Sequence, residues 1–175
     1  MAVFTDWWLE QARLGNMYHA ASAGAVTLST VSTTCTGLAL SNTYGSGKLL
    51  VVKQVNFVAS TAPAGAAVVG LAIHTAVSTT DTTHTTPMVI HNAKASGNVS
   101  GTPAGHADAA ATLASTPLWL RPMGSVVAAS SISPANYTDY PDGSIVVVPG
   151  GCRSLSYLTT AAVGIASITW VEVPE

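Results

Sequence analysis

The sequence predicts an all-β fold, an antiparallel β-sandwich of jelly-roll type with a short N-terminal helical arm. Three observations carry this. Short segments rich in Val, Ile and Thr, many with alternating polarity, recur at hairpin spacing from Ala25 to Val173. Clusters of Gly, Pro, Asn and Asp separate them, and no helical spacer intervenes. Only 8% of the 175 residues are charged, against about 25% in ordinary soluble domains, so small hydroxyl and methyl groups take the place of solvated ions.

The elements follow in order. Asp6 is placed to cap a brief helix from Trp7 through Leu14, and Gly15-Asn16 is its stop signal. Residues 1–22 are therefore read as an arm and residues 23–175 as the sandwich. Within the sandwich, strands are expected at Ala25–Val31, Thr34–Ser41, Leu49–Ala59, Ala66–Thr75, Met88–Ala93, Thr116–Pro122, Ser125–Ile132, Ser144–Val148, Ser154–Thr160 and Ala166–Val173. The turns between them are Tyr44-Gly-Ser-Gly47, Ala62-Pro-Ala-Gly65, Pro141-Asp-Gly143 and Gly150-Gly151. In Pro141-Asp142-Gly143 the proline is expected to preset φ and the glycine to accept a positive φ. The stretch Asn92–Thr116 reads as a long loop, of the length that serves as a functional or interaction segment.

Composition excludes several function classes. A net charge of -2, with six Lys and Arg in the whole chain, gives no basic patch for nucleic acid and no attraction to an anionic membrane. The first ten residues have neither the cationic start nor the apolar run of a secretory signal. No apolar run reaches membrane-spanning length. Cys35 and Cys152 read as small buried hydrophobes of a protein made in a reducing cytosol, with a pairing between them left open.

No motif assigns a catalytic residue, a cofactor or a metal. Gly45-Ser-Gly-Lys48 falls short of a phosphate loop, since Asn42 and Leu49 stand where Gly and Ser or Thr are needed, and a strand follows where a helix is required. His74, His84 and His91 with Asp81 match no ligand spacing and read as turn residues flanking strands. No Gly-x-Ser-x-Gly elbow occurs. Asp139 and Asp142 sit around a turn, where Asp serves local hydrogen bonding. Tyr137 and Tyr140, with nearby Asp139 and Asn136, have the makings of a small glycan platform, or else pack across the hairpin or into a subunit contact. Phe4, Trp7, Trp8 and Leu9 concentrate apolar area in the arm, and tryptophan is enriched at binding hot spots. That segment either caps its own sandwich or docks on a neighbour.

Three stretches together resemble structural proteins of tailed-bacteriophage virions, in particular β-sandwich capsid decoration, or cement, proteins. They are Tyr44-Gly-Ser-Gly-Lys-Leu-Leu-Val-Val-Lys-Gln-Val55, Ala62-Pro-Ala-Gly-Ala-Ala-Val-Val-Gly-Leu71 and the ending Leu158-Thr-Thr-Ala-Ala-Val-Gly-Ile-Ala-Ser-Ile-Thr-Trp-Val-Glu172. The Trp7-Trp8 segment has no counterpart in that resemblance. The resemblance implies a non-enzymatic virion protein, assembled in the host cytoplasm. Its partners would be the major capsid protein and copies of itself, as a homotrimer or other cyclic oligomer. A tail, baseplate or head-fibre adaptor, and a glycan-binding module on the particle surface, are the alternatives. Neither nucleic acid nor membrane is an expected partner.

Overall fold

The computed structural model describes residues 6–74, 79–94, 103–126 and 136–175. Helix α1 (Trp7–Leu14) is followed by β1 (Met17–Ala21), β2 (Val26–Thr27), β3 (Thr34–Asn42), β4 (Lys48–Thr61), β5 (Ala67–Ile73), β6 (Thr83–Pro87) and β7 (Ile90–Asn92). Then come β8 (Gly105–Thr112), β9 (Leu118–Val126), β10 (Asn136–Asp139), β11 (Ile145–Val147), β12 (Cys152–Leu158) and β13 (Val163–Pro174). They form two antiparallel sheets. One runs β10-β4-β13-β1-β7, with β11 on β4 and β2 on β13. The other runs β6-β8-β3-β12-β5-β9.

The pairing is that of a rolled-up hairpin. From the inside outward, β5 pairs β9, β4 pairs β10, β3 pairs β12 and β1 pairs β13. The chain alternates between the sheets as these pairs form, which gives the strand orders β1-β13-β4-β10 and β3-β12-β5-β9 of a jelly roll. Two of its strands are interrupted. β10 and β11 lie end to end along β4, and β1 and β2 lie end to end along β13. The connection from β5 to β9 carries an insertion that widens both sheets at one edge: β6 and β8 extend β3's side, and β7 extends β1's side.

Alternation of side chains builds the core. Along β4, Leu50, Val52, Val55 and Phe57 face inward, and along β13 so do Ala166, Ile168 and Trp170. Leu38, Leu40, Val69, Leu71 and Leu155 meet them from the other sheet. Trp170 is 0% exposed, its ring stacks on Tyr18 at 5.8 Å, and Nε1 donates to Glu172 Oε1 at 3.3 Å. Glu172 is held in turn by the backbone N–H groups of Ala104 and Gly105, so a buried carboxylate is satisfied where strand β8 begins. Each fully buried Leu, Val, Ile or Phe contributes roughly 1.5–3 kcal/mol relative to exposure.

The helix has the ends its sequence dictates. The Asp6 side chain accepts from the Trp8 N–H at 2.9 Å, and Gly15 stops the helix in the left-handed region at φ 83°. Tyr44-Gly-Ser-Gly47 is a tight glycine turn into β4, with Gly45 at φ 72° and Gly47 at φ 64°.

Several expectations are corrected. The sandwich begins at Met17, inside the stretch 1–22 that the sequence sets apart as the arm, because Met17, Tyr18 and Ala20 bury themselves against β13. Asn92–Thr116 is not one loop: β8 occupies Gly105–Thr112, its alanines fitting where β3 and β6 flank it on both sides. Ala25–Val31 yields only the two residues of β2, since Leu28 turns inward and Ser29 bonds back to Thr36. Met17–Ala21, Thr83–Pro87 and Asn136–Asp139 form strands that turn and loop signals hid. Of the expected strand Ser125–Ile132, Ser125 and Val126 end β9 and the remainder lies outside the described residues. In Pro141-Asp-Gly143 both Asp142 (φ 44°) and Gly143 (φ 88°) take positive φ, and Ser144 N–H bonds the Pro141 carbonyl, so proline occupies the first turn position instead of presetting φ.

Candidate functional site

The arm carries the most distinctive stretch of the sequence, the Trp7-Trp8 pair. α1 touches one sheet near both of its ends. The Trp8 ring lies 4.9 Å from Lys53 Nζ on β4, while at the other end Asn92 of β7 donates its side-chain amide to the Gly15 carbonyl at 2.5 Å. Yet no residue of the helix is buried. Trp7 is 44% exposed, Leu9 64% and Leu14 53%, and Trp7 meets Trp8 edge-on at 4.6 Å between ring centres. Glu10 and Arg13 pair on its surface at 2.7 Å, a contact of little consequence for stability. Of the four arm residues singled out from the sequence, Trp7 and Leu9 present apolar surface to solvent, Trp8 is half-buried over Lys53, and Phe4 lies outside the described residues.

Tyr137 and Tyr140 do not share a platform. Tyr137 sits on β10, packs against the core, and its hydroxyl donates to the Ser125 carbonyl on β9. The ring lies over Gly124, where a Cβ would come within 2.3 Å of it, so the glycine is required to let this tyrosine bridge the two sheets. Asp139 is held there by Arg121 at 2.6 Å. Tyr140 projects into solvent, as do Leu118 and Leu120 of the edge strand β9. Half of the expected sugar platform is thus spent on closing the sandwich.

A third constellation, which the sequence did not single out, lies on β6 and β8. His84 Nδ1 bonds Asp108 Oδ2 at 2.8 Å, and the His84 and His106 rings stack with centres 4.3 Å apart. Asp108 is fully buried, with Oδ1 unpaired, and burial pushes its carboxyl above the ordinary range despite the bond to His84. Burial and the neighbouring His84 hold His106 below the usual imidazole value. Cys35 and Cys152 are free thiols buried in one small cluster with Ala39, Ala111 and Leu113. Burial raises Cys35 to about 11 and Cys152 still further, so both are protonated at neutral pH and poor nucleophiles. Among the described residues no group of three or more His, Cys, Asp and Glu side chains is arranged to hold a metal.

The three histidines read as flanking turn residues separate. His84 and His91 belong to strands β6 and β7, and His74 is buried at the end of β5. Asp81 accepts from the Tyr44 N–H at 2.9 Å. His91 stands opposite His19 across β7 and β1, beside a shallow groove with Asn56, Ser167 and Thr169. His106 and Asp108 escaped sequence reading because the alanines around them suggested loop. The one usable signal was their spacing of two, which puts both on one face of a strand.

Comparison of the chain with protein-family models, curated proteins and solved structures finds no match.

Proposed function

We propose that this is a non-enzymatic virion structural protein that decorates and stabilises a phage capsid through contacts with the major capsid protein and with copies of itself. The observation that carries the reading is the arm: a capped helix that buries none of its own side chains and holds Trp7, Leu9 and Leu14 in solvent. Exposed aromatic and aliphatic area of this kind is suited to a protein interface. Two further features support it. The jelly roll is an architecture used by capsid proteins as well as by lectins, which is analogy at the level of fold. The 8% charge content leaves sheet faces of hydroxyls and methyls that neighbouring subunits can cover. The two thiols are buried and held protonated, so neither offers itself as a nucleophile.

Imaging of particles that carry and lack the protein tests the proposal. Density repeated over the whole shell, with particles lacking it opening at lower temperature, is the expected outcome. A few copies at one vertex would instead mean a tail, baseplate or head-fibre adaptor. Absence from purified particles sinks both.

A further inference from the structure

His19 and His91 lie far apart in the chain, and the strand register brings them together. β1 and β7 pair antiparallel with His19 directly opposite His91. The Ala93 N–H donates to the Met17 carbonyl at 2.8 Å. Two steps along the same register, His19–His91 is therefore also a hydrogen-bonded pair, with Cα atoms about 5.5 Å apart. Directly opposite residues put their side chains on one face of the sheet. Tyr18 and Ala20, the neighbours of His19, are buried in the core. The two imidazoles thus stand on the outer face, where both residues are exposed.

The His19 ring is already oriented. Its Nδ1 lies 2.9 Å from the Thr169 hydroxyl on β13, which flanks β1 on the side away from β7. The other edge of the ring, with Nε2, is thereby turned toward the β7 side, where His91 stands. When Nδ1–H donates to Thr169 Oγ1, Nε2 keeps its lone pair. A neighbouring acceptor orients metal-ligating histidines in the same way. Both rings line one shallow groove, and among the described residues that border it there is no carboxylate. Oxygen-seeking cations such as Mg(II) and Ca(II) find no ligands of their own kind there, whereas paired imidazoles suit late transition metals. Lys53, the residue that the register skips between Val52 and Gln54 on β4, has its ammonium 4.9 Å from the Trp8 ring, where the arm's aromatic face engages it.

We propose that His19 and His91 bind one late divalent transition-metal ion through a ring nitrogen each, with Cu(II) held more tightly than Ni(II) or Zn(II). Water completes the shell, and Thr169 is the positioning residue. The ion clips the edge strand β7 to β1. The site stands whether or not the protein decorates a capsid.

The test titrates the full chain with Cu(II), Zn(II) and Mg(II) by calorimetry. One equivalent of Cu(II) should bind, Zn(II) more weakly and Mg(II) not at all. The paramagnetic resonance spectrum of the Cu(II) complex should show two coordinated imidazole nitrogens. His19→Gln and His91→Gln should each remove this site, while His84→Gln, on the other sheet, should leave binding and spectrum as they are. Thr169→Val, which keeps a strand-forming shape, should weaken Cu(II) binding about tenfold with the metal-free Tm unchanged; an unaltered affinity overturns its positioning role. Cu(II) binding that survives in both His19→Gln and His91→Gln, or that is lost in His84→Gln, overturns the proposal. So does Cu(II) binding no tighter than that of Mg(II). Should His19→Gln or His91→Gln fail to fold, the spectrum of His84→Gln decides: two imidazole nitrogens uphold the site and fewer overturn it.

Discussion

Two tryptophan-bearing regions of the molecule are built on opposite terms. In β13, Trp170 is enclosed by both sheets, stacked on Tyr18 and hydrogen-bonded to Glu172. In α1, Trp7 faces solvent and touches Trp8, which itself leans on the side chain of Lys53. The first tryptophan is part of what holds the fold together. The second is held out by a helix whose caps are sound but whose packing is slight. The difference teaches that apolar content alone does not locate a core: the same residue type is spent on folding in one place and left available for association in the other.

The sharpest way to break this comparison is substitution at its two poles. Trp170→Ala should destabilise the chain by about 3–5 kcal/mol, by the loss of burial and the cavity left behind. Chemical denaturation reads this directly, and a change below about 1 kcal/mol would show that the core is not centred where we place it. Gly124→Val should come next, costing about 1–3 kcal/mol as the new side chain drives into the Tyr137 ring. Fluorescence of Tyr137 and the melting temperature should move together.

Acidification supplies a third test. His74 and His106 lie below the ordinary imidazole value in the folded chain, chiefly through burial. The unfolded chain therefore takes up more protons as pH falls through about 6.5, and stability declines from there downward. Asp108 acts with the opposite sign. Its raised carboxyl protonates first in the folded state, so its burial penalty is felt at neutral pH and eases as pH falls toward the carboxylate range. The Tm should fall between pH 7 and pH 5.5, and His106→Gln should flatten that slope. A pH-independent Tm over this interval would contradict the burial assigned to these rings.

The smaller effects belong to the arm. Asp6→Ala should weaken the helix by about 1 kcal/mol through loss of the cap on Trp8; helical circular dichroism should report it while the sandwich melts unchanged. Trp7→Ala should leave stability within about 0.5 kcal/mol of the parent and still reduce retention on particles. If it unfolded the protein as Trp170→Ala does, the two regions would be equivalent and the interface reading would fall.

How far the sequence reached depends on the kind of information each feature carries. The cores of β3, β4, β5, β12 and β13 were legible because β-branched residues cluster between turn residues, a local signal. The Tyr137 bridge was not, because it depends on Gly124 standing opposite, across residues distant in the chain. The exposure of Trp7 and Leu9 was open from sequence, since an aromatic helix is equally consistent with capping its own sandwich.

The amino-acid sequence by itself determined that the chain is β beyond its N-terminal segment, where most turns fall, and that a short helix starts after Asp6 and ends at Gly15. Those features depend on residues within a few positions of one another, whose propensities and caps act without distant partners. Tertiary structure alone decided the nested strand order, the recruitment of Gly105–Thr112 as a strand, and the burial of Asp108, His74 and Arg153. Burial of a polar group is a property of what packs over it, and here those neighbours come from strands far apart in the chain.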